Sequence, residues 1–110
     1  MKITVANFVR QRGVGGKFVV LFPAGDEESA VVALSDFSQD SYHNQIVARW
    51  RSVGNGRTVR IGGGGWWKYD GESRTLFLYG SSTAYGDFDQ GLLMRGLKPG
   101  MVFEEARIEY

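Results

Sequence analysis

The chain has no cysteine, one histidine and two prolines in 110 residues. Without thiols there are no disulfides, thiolate zinc sites, iron–sulfur clusters or cysteine nucleophiles, and the protein is indifferent to redox poise. A zinc or iron site would rest on carboxylates that show no motif spacing, so no metal is expected. No window reaches the roughly 18 consecutive apolar residues that span a bilayer. The opening Met1–Arg10 meets charge too soon for a secretory signal, so the expected location is cytoplasmic, off the membrane. The net charge of +1 is too small to call for a polyanion, and no nucleic-acid partner is expected.

What is present is one domain's worth of chain, 1–110, with 43% hydrophobic residues and seven Phe, five Tyr and three Trp to build a core. A monomer is the default. Charge is unevenly placed. Asp26, Glu27, Glu28, Asp36 and Asp40 form an acidic stretch, whereas residues 41–69 carry Arg49, Arg51, Arg57, Arg60 and Lys68 with no acid, which suggests a local anion preference.

Runs rich in β-branched and aromatic residues predict strands at Ile3–Val9, Lys17–Phe22, Ser29–Leu34, Arg57–Ile61, Thr75–Tyr79 and Val102–Tyr110. In the last, Val102, Glu104, Ala106, Ile108 and Tyr110 alternate with Phe103, Glu105, Arg107 and Glu109, as on a strand with one mostly apolar face. Asp70-Gly71 offers residues tolerant of positive φ, so the glycine-rich segment before it should pair with Thr75–Tyr79 as a hairpin.

Two segments change period. Tyr42, Ile46, Trp50 and Val53 make one stripe of a helix, with Ser38 or Asp40 as N-cap and Gly54 as stop. A shorter helix should start near Asp87 or Asp89, bury Leu92 and Leu93 and end by Lys98-Pro99-Gly100, although Gly91 and Gly96 each cost it about 1 kcal/mol against Ala. The expectation is an α+β domain: a mixed six-stranded sheet flanked by two helices.

His43 is the only side chain with an unperturbed pKa near neutrality. At the start of a helix, the positive dipole end disfavours imidazolium and keeps the ring able to accept a proton, while free N–H groups there attract an anion. The plain alternative is a helix-surface histidine packed beside Tyr42 or Val47. Gly62-Gly63-Gly64-Gly65 lacks the spacing of a nucleotide loop, and Gly13-Val14-Gly15-Gly16-Lys17 likewise fails. Four glycines serve equally well to let a strand bend or another backbone approach. Tyr79-Gly80-Ser81-Ser82-Thr83-Ala84-Tyr85-Gly86 is crowded with hydroxyls and amides that suit an oxyanion or satisfy a polar turn. It lacks the G-x-S-x-G of a serine hydrolase.

Lys17 at a strand start, Tyr42-His43 opening a helix, the glycines 63–65 and the 79–86 element, in that order and spacing, resemble the protein histidine phosphatase family, also called the Janus family. The resemblance implies the same mixed sheet with two helices. It also implies hydrolysis, with neither metal nor other cofactor, of a phosphohistidine-bearing protein or a small phosphoramidate. His43 would be general base or nucleophile, with Tyr42 beside it. Lys17, the Asn44 amide and Ser82, Thr83 and Ala84 would hold the phosphoryl oxygens. The chain departs from that pattern where Trp66 and a residue near Ser35 replace two expected arginines, whose bidentate geometry no neighbouring charge restores. The alternative is a non-catalytic phosphate- or phosphopeptide-binding or interaction domain of the same fold.

Overall fold

The computed structural model describes residues 2–9, 15–24, 28–36, 42–53, 58–98, 100–103 and 107–110. They form β1 (Lys2–Asn7), β2 (Gly15–Pro23), β3 (Ser29–Asp36), α1 (His43–Val53), β4 (Val59–Asp70), β5 (Thr75–Tyr79), α2 (Gln90–Gly96) and β6 (Arg107–Glu109). This is the expected α+β architecture, a six-stranded mixed sheet with two helices. The strand order is β1-β3-β2-β4-β5-β6. The central pairings are antiparallel and the two outer ones, β1 with β3 and β5 with β6, are parallel.

The topology explains where the helices lie. Because β3 and β4 both run antiparallel to β2 on either side of it, they run parallel to each other, and α1 makes the crossover. Helix α2 likewise connects the parallel pair β5 and β6. The two lie on opposite faces. On one, Ile46, Val47 and Trp50 of α1 pack with Val19, Leu21, Val31, Ala33 and Val59. On the other, Leu93 and Leu97 join Ile3, Phe18, Val20, Val32, Leu34, Trp67, Leu76 and Leu78. Consecutive residues of β2 and β3 thus feed two cores, as the period of two requires. No described helix is long and apolar enough to cross a membrane.

Several boundaries differ from the expectations. β4 does not stop at Ile61 but continues through the glycines to Asp70. Its turn is the four-residue loop 71–74, in which the Asp70 carboxylate accepts the Glu72 N–H at 3.0 Å and Arg74, not Gly71, takes positive φ at 52°. β6 is three residues long. The expected alternation fails at Val102 and Phe103, which lie in bends, because Phe103 turns inward onto the rings of Trp67 and Tyr69 at 5.8 and 4.7 Å. Helix α2 begins as expected, with the Asp89 carboxylate accepting the Leu92 N–H at 3.1 Å. The proposed caps Ser38, Asp40 and Gly54, and Arg57 and Pro99, lie outside the described residues.

The helix stripe is also rotated from the expected one. His43, Ile46, Val47 and Trp50 are buried, whereas Tyr42 is 67% and Val53 66% exposed. The buried set falls at i, i+3, i+4 and i+7, a truer helical face than the expected spacing. As a result the histidine, not the tyrosine, turns toward the sheet.

A bulge in β4 sets the remaining geometry. Val19 pairs with Gly64 and Leu21 with Ile61, so β4 holds two residues, Gly62 and Gly63, opposite Val20 alone. Gly63 has φ of 97°, and a Cβ there would lie 2.0 Å from the Asp87 carbonyl oxygen. The extra residue reverses the facing of everything after it. Ile61 lies on the α1 side, yet Trp67 enters the α2-side core and Trp66 emerges beside α1.

Candidate functional site

A cleft of about 440 Å³ opens where the start of β2, the middle of β4 and the N-terminus of α1 meet. Lys17, Tyr42, His43, Asn44, Trp66, Ser81, Thr83 and Ala84 line it. Lys17 and Trp66 are register partners on adjacent strands and therefore share a face. Helix α1 sets Tyr42, His43 and Asn44 above that face. At its start the Gln45 side chain accepts the Tyr42 N–H at 3.0 Å, fixing how the chain enters the helix. There is no acidic residue in the first turn to oppose an anion.

His43 is 6% exposed, and its Nε2 lies 2.8 Å from the Gly65 carbonyl oxygen. A carbonyl only accepts, so Nε2 carries the proton and Nδ1 is left as the basic atom of the neutral ring. The imidazole pKa is held below its ordinary value chiefly by burial; the Gly65 hydrogen bond opposes this and the Lys17 charge adds to it. The direction is the one the sequence suggested, but its leading cause is desolvation. The Trp66 ring stands edge-on to the imidazole at 6.2 Å and 90°.

The glycines make this docking possible. A Cβ on Gly64 would lie 2.6 Å from the Phe18 carbonyl oxygen and 3.1 Å from His43 Cδ2, and one on Gly65 would lie 2.5 Å from the Tyr79 carbonyl oxygen. The run therefore acts as a bend and a close approach of backbones, while presenting one carbonyl to the histidine.

The Lys17 ammonium lies 4.7 Å from the centre of the Trp66 ring and 5.4 Å from that of Tyr42, within cation–π range of both. It is the single cation among the described lining residues. The basic segment does not converge here: Arg49 lies over Phe8 and Arg60 over Phe22, on opposite faces of the sheet.

Of the residues singled out in the sequence, Lys17, Tyr42, His43, Asn44, Thr83 and Ala84 come together. Ser82 does not face the cleft. It is 3% exposed, bridges Gly86 through its backbone and uses its hydroxyl to accept the Tyr85 N–H at 3.1 Å. Ser81 takes its place in the wall. Since Gly86 also accepts the Gly64 N–H at 3.2 Å, the loop is tied to the bulge and its position is fixed in advance. Ser35 is fully buried, its carbonyl accepting the Trp67 indole N–H at 2.7 Å. Among the described residues no three His, Asp or Glu are grouped as metal ligands.

A family model for the Janus/Ocnus family matches residues 14–105, which carry every residue of the cleft. The chain belongs to the Janus/Ocnus family. This corrects the resemblance drawn from the motifs: the matching family is not the phosphohistidine phosphatase family, so membership in it is no evidence of phosphatase activity. No curated protein matches the chain.

Proposed function

We propose that the cleft binds a phosphoryl group and hydrolyses its bond to nitrogen, in a phosphohistidine-bearing protein or a small phosphoramidate. The observation that carries this reading is the His43 imidazole, buried and kept neutral, with Nε2–H spent on Gly65 and Nδ1 left basic, in a cleft that Lys17 also lines. The Lys17 charge, the first turn of α1 and the Ser81 and Thr83 hydroxyls complement phosphoryl oxygens. Water forms the new P–O bond as P–N breaks; its proton passes to Nδ1 and is returned to the departing nitrogen. If Nδ1 attacks phosphorus itself, the substrate's P–N bond breaks as its nitrogen takes a proton from solvent, and water then cleaves the new P–N bond to His43, freeing Nδ1 and releasing phosphate. Because such bonds are labile, general-base assistance worth about 10²–10⁴-fold suffices.

Incubation with a phosphohistidine peptide in chelator, followed by phosphorus NMR, tests the proposal. Wild type should release phosphate and His43→Ala should fall to background, and acid-quenched phosphoprotein would mark the nucleophilic route. A second reading is favoured by the lone cation, already engaged by two rings: a phosphate-binding module without turnover. It predicts a phosphate-dependent shift of the His43 resonances and no hydrolysis. Neither hydrolysis nor a shift would sink both.

A further inference from the structure

The cleft's rim is aromatic beyond what holding a phosphate requires. Trp66 pairs in register with Lys17 on one side and with Tyr79 on the other, so all three side chains share the α1 face of the sheet. Tyr79 is 47% exposed, and Tyr42, above the row, is 67% exposed. A row of rings beginning at the anion-binding lysine and running outward suits a ligand with an anionic head and a flat body.

We propose that Tyr42 and Trp66, with Tyr79 beyond them, form a subsite for a planar, conjugated nitrogen group, so that the phosphoryl group reaching His43 is carried on a heteroaromatic or guanidinium nitrogen and not on an aliphatic amine. This rests on the phosphoryl reading above. The departing nitrogen gains positive charge as it is protonated, and the aromatic faces attract a planar cation while stacking on its π-system. An alkylammonium offers the charge without the plane. Trp66 is then the residue that sets the preference, standing beside both Lys17 and His43.

Stable phosphonates separate this inference from turnover. Titration of the folded protein with methylphosphonate and phenylphosphonate, followed by the Trp66 indole and His43 NMR signals, compares one anionic head with and without a ring. Wild type should bind phenylphosphonate at least about fivefold more tightly. Trp66→Leu should bring the ratio close to one and Trp66→Phe should retain it, whatever loss of support for Lys17 costs both ligands alike. Equal affinities in wild type, or a ratio that survives Trp66→Leu, would overturn the subsite and leave the phosphoryl reading standing. Binding of neither phosphonate would overturn both. Among substrates, faster loss of N-phosphoimidazole or of phosphoarginine than of N-phosphobutylamine supports the subsite and tells the two planar carriers apart; preference for the butylamine overturns it.

Discussion

On the α2 face of the sheet, Phe18, Val20, Ala30, Val32, Leu34, Leu76 and Leu78 are all 1% exposed or less. On the α1 face the hydrocarbon stops at Val19 and Ala33, and the next positions toward the strand ends are Lys17 and Ser35, with His43 and Trp66 beside Lys17. The same strands supply both faces, one residue apart. Both faces have a closed core, but that of the α1 face, over Val19, Leu21, Ala33 and Ile46, gives way at one end to polar groups that meet in the cleft. Lys17 and Trp66 stand on the same strands that bury Phe18 and Trp67, so the core sets where the side chains of the cleft lie.

Core truncation should separate the two faces most sharply. Leu78→Ala removes a fully buried side chain and should cost about 2–5 kcal/mol in urea unfolding, while His43 signals and phosphate affinity stay near wild type as long as the protein is folded. Equal disturbance of the cleft would show that the faces are not independent. Gly64→Ala acts from the strand that joins them. Its Cβ would press on the Phe18 carbonyl and the His43 ring, so a loss of about 1–3 kcal/mol is expected together with displaced His43 resonances. Gly71→Ala, with no atom within 4 Å of the added Cβ, is the control and should move neither.

Between pH 7.5 and 5, acid should act through the cleft. Since the folded pKa of His43 lies below its ordinary value, the unfolded chain takes up the proton first as pH falls. Stability is therefore full above the unfolded value of about 6.5, declines as pH drops toward the folded pKa and then levels off. Thermal melts between pH 7.5 and 5 should show this decline, and His43→Gln should flatten it. The smallest effect belongs to the other face, where Tyr110 packs against the α2-side core with a buried hydroxyl that has no partner among the described residues. Burial pushes its pKa up to about 12. Tyr110→Phe should leave the melting temperature unchanged or slightly raised, because no hydrogen bond to a described residue is lost.

Much of this was legible in the chain. Runs of β-branched and aromatic residues marked β2, β3 and β5 because such residues suit a pleated sheet with buried faces, and of the two starts offered for α2, Asp87 or Asp89, the latter caps it because a carboxylate there satisfies an otherwise unpaired N–H. Lys17, Tyr42, His43, Asn44, Thr83 and Ala84, named together from the sequence, line one cleft. Ser81 was missed in favour of Ser82, since adjacent hydroxyls in a loop look alike until the bridge to Gly86 turns one inward. Phe103 was placed on the polar face because alternation assumes a strand, and the ring contacts with Trp67 and Tyr69 replaced the strand with bends there.

By itself the sequence determined the element types, the mixed sheet with two helices, and a lone histidine at a helix start, because period, capping and turn chemistry act over a few residues. Which face each side chain reached was decided only in the tertiary structure. One extra residue in β4, accommodated by Gly62 and Gly63, put Trp67 in the core and Trp66 at the cleft. Docking of α1 turned His43 inward to the Gly65 carbonyl while Tyr42 stayed at the surface. Register and helix rotation are set by contacts between distant segments, and those contacts exist only once the sheet has formed.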